Sequence, residues 1–224
     1  QMGGMDLGGL GGLEGLLGGL MGGQGGGRHV PDTHCKPGQV TVPKMDNHRD
    51  MTANGCGPQG MQIKEPFGLY RCCNFHDVCF SACGTTFDWC EKQFEQCMKQ
   101  VCKKPDSGKK KECKQQAKTF RSLTGAFGGG FHSSSQRAAC TCAEQGAEAR
   151  KEHRDYLKAF LQDCGSDEEP ADASDDRVSG LLRQWGGREG ELYASLVKKY
   201  GHRFVRFVDI EPKFEQPTEA EQEL

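Results

Sequence analysis

The chain has 224 residues, of which 13 are cysteine and 32 glycine, with 35% apolar residues and a net charge of −2. So many cysteines exclude a reduced cytosolic protein and point to a disulfide framework made in an oxidising compartment, secreted or in the secretory-pathway lumen. The small net charge excludes a general pull toward nucleic acid or acidic membranes.

Residues 1–29 form a Gly/Leu/Met-rich low-complexity leader, with Leu7, Leu10, Leu13, Leu16, Leu17 and Leu20 at near-helical intervals. Its glycines oppose a helix in water, so a flexible segment is expected, with ordering on a lipid surface or a partner as the alternative. It has no basic front region and no starting Met, so an intact signal peptide is not expected here. No apolar run is long enough to span a bilayer, and a soluble or peripheral mature protein is expected.

Residues 30–164 hold all the cysteines and are expected to form one disulfide-rich domain. Val30 to Ala53 is polar and Pro-punctuated, an extended arm leading to the Gly-rich loop Asn54-Gly55-Cys56-Gly57-Pro58-Gln59-Gly60. A first helix is predicted from Pro66, suited to a first turn, to Cys83, with Gly84 as its stop. A second is predicted from Thr86 to Cys102. The lysines that follow, Lys103, Lys104, Lys109, Lys110, Lys111, Lys114 and Lys118, read as a solvated loop, with contact to anionic headgroups as the alternative. A Gly-rich loop at Gly125 to Gly130 then precedes a third helical region, Ser134 to Cys164, where Tyr156, Leu157, Phe160 and Leu161 fall at core spacing.

Residues 165–176 form an acidic linker and domain boundary. Beyond it, residues 177–210 suggest a small helical extension. Leu181, Leu182 and Trp185 lie on one short amphipathic helix and Leu192, Tyr193, Leu196, Val197 and Tyr200 on another, with a Gly186-Gly187 turn between them. It carries no chemical motif and reads as a docking element for another protein. Residues 211–224 read as a disordered tail.

The chemistry concentrates in Cys72-Cys73-Asn74-Phe75-His76-Asp77-Val78-Cys79 and Cys90-Glu91-Lys92-Gln93-Phe94-Glu95-Gln96-Cys97. In an antiparallel helical hairpin, paired positions share a constant sum, and Cys72 with Cys97 and Cys79 with Cys90 both give 169. A seven-residue spacing is two helical turns, so each pair of cysteines shares a face and two disulfides can join the faces. Zinc binding by Cys72, Cys73, His76 and Cys79 is the alternative. His76 lies between the two rungs. A neutral imidazole there can take a proton from water, and Glu91, beside a rung, is the carboxylate to orient it. Asp77 points about 100° away, toward the Gly-rich loop. A carboxylate with loop carbonyls is a donor set for calcium, and Gly55 and Gly57 free the loop to turn its carbonyls inward. Cys56, if bonded to Cys73, would tether the loop beside Asp77. The odd cysteine is expected to be Cys35. The other histidines, His29, His34, His48, His132, His153 and His202, are expected at the surface.

From Asn54 to Cys102 the chain resembles a secreted calcium-dependent phospholipase A2. The block Cys-Cys-x-x-His-Asp-x-Cys matches that superfamily's active-site helix. The loop Asn-Gly-Cys-Gly-Pro, the run His-Asp-x-Cys-Phe-x-x-Cys-Gly and the segment Ser135 to Cys142 make it most similar to the group twelve type. The resemblance implies a mainly α, disulfide-rich core with two antiparallel disulfide-linked helices and a calcium loop. It implies His76 as general base, Asp77 with the carbonyls of Gly55, Gly57 and Gln59 as calcium ligands, and the Gly57 N–H as oxyanion donor. It also implies disulfides Cys56–Cys73, Cys72–Cys97 and Cys79–Cys90, the last two also given by the constant sum. The implied activity is hydrolysis of the sn-2 ester of glycerophospholipids at a membrane surface or micelle, with no nucleic-acid partner. Glu91 stands where the family usually has Asp, and Pro58 and Gln59 where many members have small residues. These departures favour an alternative, a lipid- or receptor-binding protein on the same scaffold with weak or lost catalysis. A third reading is a matrix or assembly component with leader and tail as adhesive arms.

Overall fold

A computed structural model describes residues 35–58, 62–164, 171–201 and 204–208. The leader, Gln59, the first half of the acidic linker, the tail, His29, His34 and His202 lie outside the described residues. Strand β1 (Gln39–Pro43) is followed by a 3₁₀ turn (Asn47–Asp50) and a two-residue strand β2 (Thr52–Ala53). Helices α1 (Tyr70–Ser81), α2 (Phe87–Val101) and α3 (Lys110–Ala139) come next. They lead to strand β3 (Cys140–Glu144) and helices α4 (Ala147–Cys164), α5 (Asp175–Gln184) and α6 (Glu189–Tyr200), and then to strand β4 (Arg206–Phe207). The fold is mainly α with a disulfide-rich core.

Helix α1 starts later than its sequence suggests. Gly68 takes a positive φ of 81°, and the Glu65 carboxylate accepts the N–H groups of Phe67 at 2.7 Å and Tyr70 at 2.9 Å, capping the first turn. Gly84, at φ 86°, turns the chain into α2, whose cap Thr86 accepts the Trp89 N–H at 3.2 Å. The hairpin closes with Cys72–Cys97 and Cys79–Cys90 as disulfides, at Cα separations of 5.6 and 5.9 Å. The zinc alternative has no place for these cysteines, since Cys73 is bonded to Cys56.

The sequence is corrected most in the stretch after α2. Gly125 to Gly130 is no loop but the middle of the thirty-residue helix α3. Interior glycines cost about 0.5–1 kcal/mol each, but Gly128 has a packing reason. A Cβ there would come within 3.0 Å of Phe87 and 3.4 Å of Phe80. The helix also buries Phe120, His132 and Gln136. Lys110, Lys111, Lys114 and Lys118 ride its exposed face, so only Lys103, Lys104 and Lys109 belong to a turn. The expected third helix is likewise cut by β3, which pairs antiparallel with β1 from Gln39↔Glu144 to Pro43↔Cys140. That pairing brings Cys35 to Cys142, and Cys83 bonds Cys140. Cys35 is therefore not the odd cysteine. Cys102–Cys113 is the sixth disulfide, and Cys164 is a buried thiol.

The largest core joins Phe75 and Val78 of α1, with Ala82 just past its end, to Tyr156, Leu157, Phe160 and Leu161 of α4 and to the C-terminal helices. Val178, Leu181, Leu192, Tyr193, Leu196 and Val197 are all buried here, so the apolar sides of α5 and α6 are covered within the chain. Two histidines expected at the surface are buried. His132 sits edge-on to Phe80 and Phe87. His48 packs among Tyr156, Phe160 and Phe204, with Nε2 2.7 Å from Asp163 Oδ2. His153 is half-buried, its Nδ1 2.7 Å from the Tyr193 hydroxyl. No helix among the described residues is long and apolar enough to cross a membrane.

Helix α6 begins where its backbone touches the α1–α2 turn. A Cβ on Gly190 would fall inside the backbone of Gly84 and Thr85, which cannot yield as a flexible side chain would. Gly190→Ala is expected to destabilise the protein by roughly 1–3 kcal/mol in denaturant unfolding. An unchanged midpoint would contradict this close approach.

Candidate active site

The two disulfide rungs fix the facing surfaces of α1 and α2, and His76 and Glu91 meet between them. His76 Nε2 lies 2.6 Å from Glu91 Oε1, with 8% of the His76 side chain and 16% of the Glu91 side chain exposed. A carboxylate accepts, so Nε2 carries the imidazole proton and Nδ1 keeps its lone pair. The second carboxylate oxygen, Oε2, accepts the Thr124 hydroxyl of α3 at 2.8 Å. Both oxygens are thus held, and the extra methylene of Glu91 is spanned by this double anchor. The imidazole is held between rings, with centroids 4.2 Å from Phe80 and 4.4 Å from Phe94.

Asp77 leaves α1 on another side, toward the loop after β2. Its Oδ2 accepts the Asn54 N–H at 3.1 Å, and Asn74 Oδ1 accepts the Gly55 N–H at 3.0 Å. Gly55 and Gly57 both have positive φ, 79° and 132°, which side chains rarely tolerate. The Cys56–Cys73 disulfide ties the loop to α1 between them. Farther on, the Ile63 N–H returns to the Cys56 carbonyl at 2.6 Å, and the Gln62 amide donates to the Asn54 carbonyl at 3.2 Å. Burial pushes the Asp77 carboxyl well above the usual carboxylate range, against the pull of the Asn54 N–H. Among the described residues no three His, Cys, Asp or Glu side chains gather to hold a metal. A different kind of site would combine the Asp77 carboxylate with carbonyls of the adjacent loop, which two glycines turn. That is the chemistry of a hard cation such as calcium.

His76, Glu91 and Asp77 are thus gathered around the middle of α1, with Gly55 and Gly57 on the loop tied to it, while Gln59 lies outside the described residues. Asn74, Thr124 and Gln136 join them without having been singled out in the sequence. Asn74 lies within the conspicuous cysteine block and three residues before Asp77, so an amide at that place is a readable signal. Thr124 has none, because it stands just before the glycines that read as a loop. Gln136, buried on α3, accepts the Gly84 N–H at 2.8 Å, and its amide nitrogen is 2.9 Å from the carbonyls of Phe80 and Ala82. It thereby ties off the end of α1.

The family model described as Group XII secretory phospholipase A2 precursor matches residues 8–150. Among curated proteins, the Group XIIB secretory phospholipase A2-like protein of Mus musculus is 29% identical over 137 residues, 55% of this chain and 70% of that protein. The Group XIIA secretory phospholipase A2 of Mus musculus is 31% identical over 72 residues, 31% of this chain and 37% of its own length. The Group XIIA protein of Homo sapiens is 29% identical over 72 residues, 31% of this chain and 38% of its own length. The chain therefore spans little more than a third of the group XIIA proteins that it matches. No solved structure matches the chain significantly.

Because burial raises the folded-state value of Asp77, its ionised form weakens the metal-free fold at pH above that value. The loss disappears as pH falls below the ordinary unfolded value. Asp77→Asn removes the charge and keeps an oxygen for the Asn54 N–H. Thermal unfolding in chelator is expected to show this variant more stable than the parent near neutral pH, with the gain lost in acid. A variant less stable than the parent at neutral pH would contradict the reading.

Proposed function

Since the chain belongs to the group XII secretory phospholipase A2 family, we propose that it hydrolyses the sn-2 ester of glycerophospholipids in a calcium-dependent reaction. The products are a free fatty acid and a lysophospholipid, and the substrate is met at a membrane surface or micelle. The observation that carries this reading is the 2.6 Å contact between His76 and Glu91, with Thr124 on the other carboxylate oxygen. Six disulfides among the described residues and the secretory family support a secreted protein.

In this mechanism His76 Nδ1 accepts a proton from water as the water oxygen attacks the ester carbonyl. Glu91 stabilises the imidazolium that forms, and Phe80 and Phe94 pack against the ring. The Gly57 N–H donates to the oxyanion of the tetrahedral intermediate. When that intermediate collapses, the carbon–oxygen bond to the glycerol breaks and the imidazolium returns its proton to the leaving alkoxide. No acyl-enzyme forms. Asp77 and the carbonyls of Gly55, Gly57 and Gln59 would hold calcium, which when bound supplies Lewis-acid polarisation of the ester and offsets the oxyanion charge.

A second reading, a lipid- or receptor-binding protein with weak or lost catalysis, draws on the relative with the longer match, whose name calls it phospholipase A2-like. Two measurements separate the readings. His76→Gln is expected to keep the far-ultraviolet spectrum and unfolding midpoint while lowering fatty-acid release by at least about 100-fold. Equal turnover in the variant would remove His76 as the base.

A further inference from the structure

The family match ends at residue 150, yet the C-terminal chain beyond it reaches back to the entrance of the candidate calcium loop. Strand β4 pairs in parallel with β2, Thr52 opposite Arg206 and Ala53 opposite Phe207. The Arg206 N–H donates to the Met51 carbonyl at 3.1 Å, and the Val208 N–H to the Ala53 carbonyl at 2.9 Å. The next residue, Asn54, donates its N–H to Asp77, and Gly55 donates to Asn74. Four hydrogen bonds donated by backbone N–H groups, two to β2-side carbonyls and two to side chains of α1, therefore lead from the C-terminal strand to Asp77 and Asn74. Among the described residues β4 is the only strand paired with β2.

The same C-terminal segment also supports the other half of the site. Leu192, Tyr193, Leu196 and Val197 of α6 share a core with Phe75 and Val78, the residues flanking the His76-Asp77 pair. Phe204, at the approach to β4, packs edge-on against His48 and Phe160. His48 and Arg49 in turn hold Asp163, the residue before the end of α4. Partial burial pushes the Asp163 carboxyl up, but these bonds outweigh it and hold it below its usual range. The stretch leading into β2 is thus fixed on both sides, by α4 and by β4.

We propose that β4 is a positioning strand for calcium: its backbone bonds to Met51 and Ala53 hold Asn54 and Gly55 in the conformation that presents the loop to Asp77. This rests on the calcium reading above. Val208 suits a test because its side chain is 40% exposed, so its backbone N–H is its main tie to β2. Val208→Pro removes that donor, whereas Val208→Thr keeps it.

Calcium titrated calorimetrically into each metal-free protein is expected to bind Val208→Pro about three- to tenfold more weakly than the parent, the size of one lost hydrogen bond. Val208→Thr is expected to match the parent. Reciprocity requires that calcium also tighten β4, so the Arg206 and Val208 amides of the unmodified protein should exchange with deuterium more slowly when calcium is added. That arm holds even if the proline variant fails to fold. Calcium binding by the parent with equal affinity in Val208→Pro, or with unchanged amide exchange, would overturn the role of β4 and leave the calcium reading standing. No calcium binding by the parent at all would overturn the calcium reading itself, and this proposal with it.

Discussion

Two disulfides spaced two helical turns apart set the register of α1 against α2, and the rest of the structure is arranged around that clamp. A single cross-link would leave the helices free to rotate about it. Two, Cys72–Cys97 and Cys79–Cys90, leave one facing arrangement, and His76 and Glu91 lie inside it. Each cross-link is worth about 2–4 kcal/mol to the fold. In a chain with 35% apolar residues that is a large share of what holds an active-site geometry in place. The 2.6 Å contact between imidazole and carboxylate depends on this clamp first, and on Thr124 and the flanking rings second.

Helix α1 serves three neighbours at once, and its periodicity assigns each a face. Cys72, His76 and Cys79 look toward α2. Cys73, Asn74 and Asp77 look toward the loop, through a disulfide and two hydrogen bonds. Phe75 and Val78 look toward α4 and the C-terminal helices. Burying Phe75 and Val78 contributes about 1.5–3 kcal/mol each, so the C-terminal chain stabilises the helix that carries the site. Phe75, which packs with α6, is next to His76 in sequence, so the C-terminal core adjoins the face that carries His76. A helix buried on three sides also explains why Gln136 is needed, because the carbonyls at its end have little access to water.

What the sequence revealed was whatever rests on fixed spacing. The paired cysteines, the two helices they join, the His76-Asp77 block and the glycines of the loop are all local patterns with rigid geometry behind them. What it hid depends on tertiary contact. Gly125 to Gly130 read as a loop because glycine is a poor helix former, yet packing of Gly128 against Phe80 and Phe87 overrides that preference. Misreading that stretch also hid Thr124, whose role needs the helix to pass over Glu91. Strand β3 was concealed by the helical pattern around it, and with it the partner of Cys35. His48 stands in a polar stretch, and only the fold supplies the aromatic rings and the Asp163 carboxylate that bury it.

The proposed function turns on whether the clamped His76–Glu91 dyad cleaves an ester in the presence of calcium. The most direct measurement incubates the oxidised protein with mixed phospholipid vesicles, once with calcium and once with excess chelator, and identifies which acyl chain is released. Fatty acid from the sn-2 position in calcium, and none in chelator, is the predicted result. No release by a folded, calcium-bound protein, or release that ignores the chelator, would contradict it.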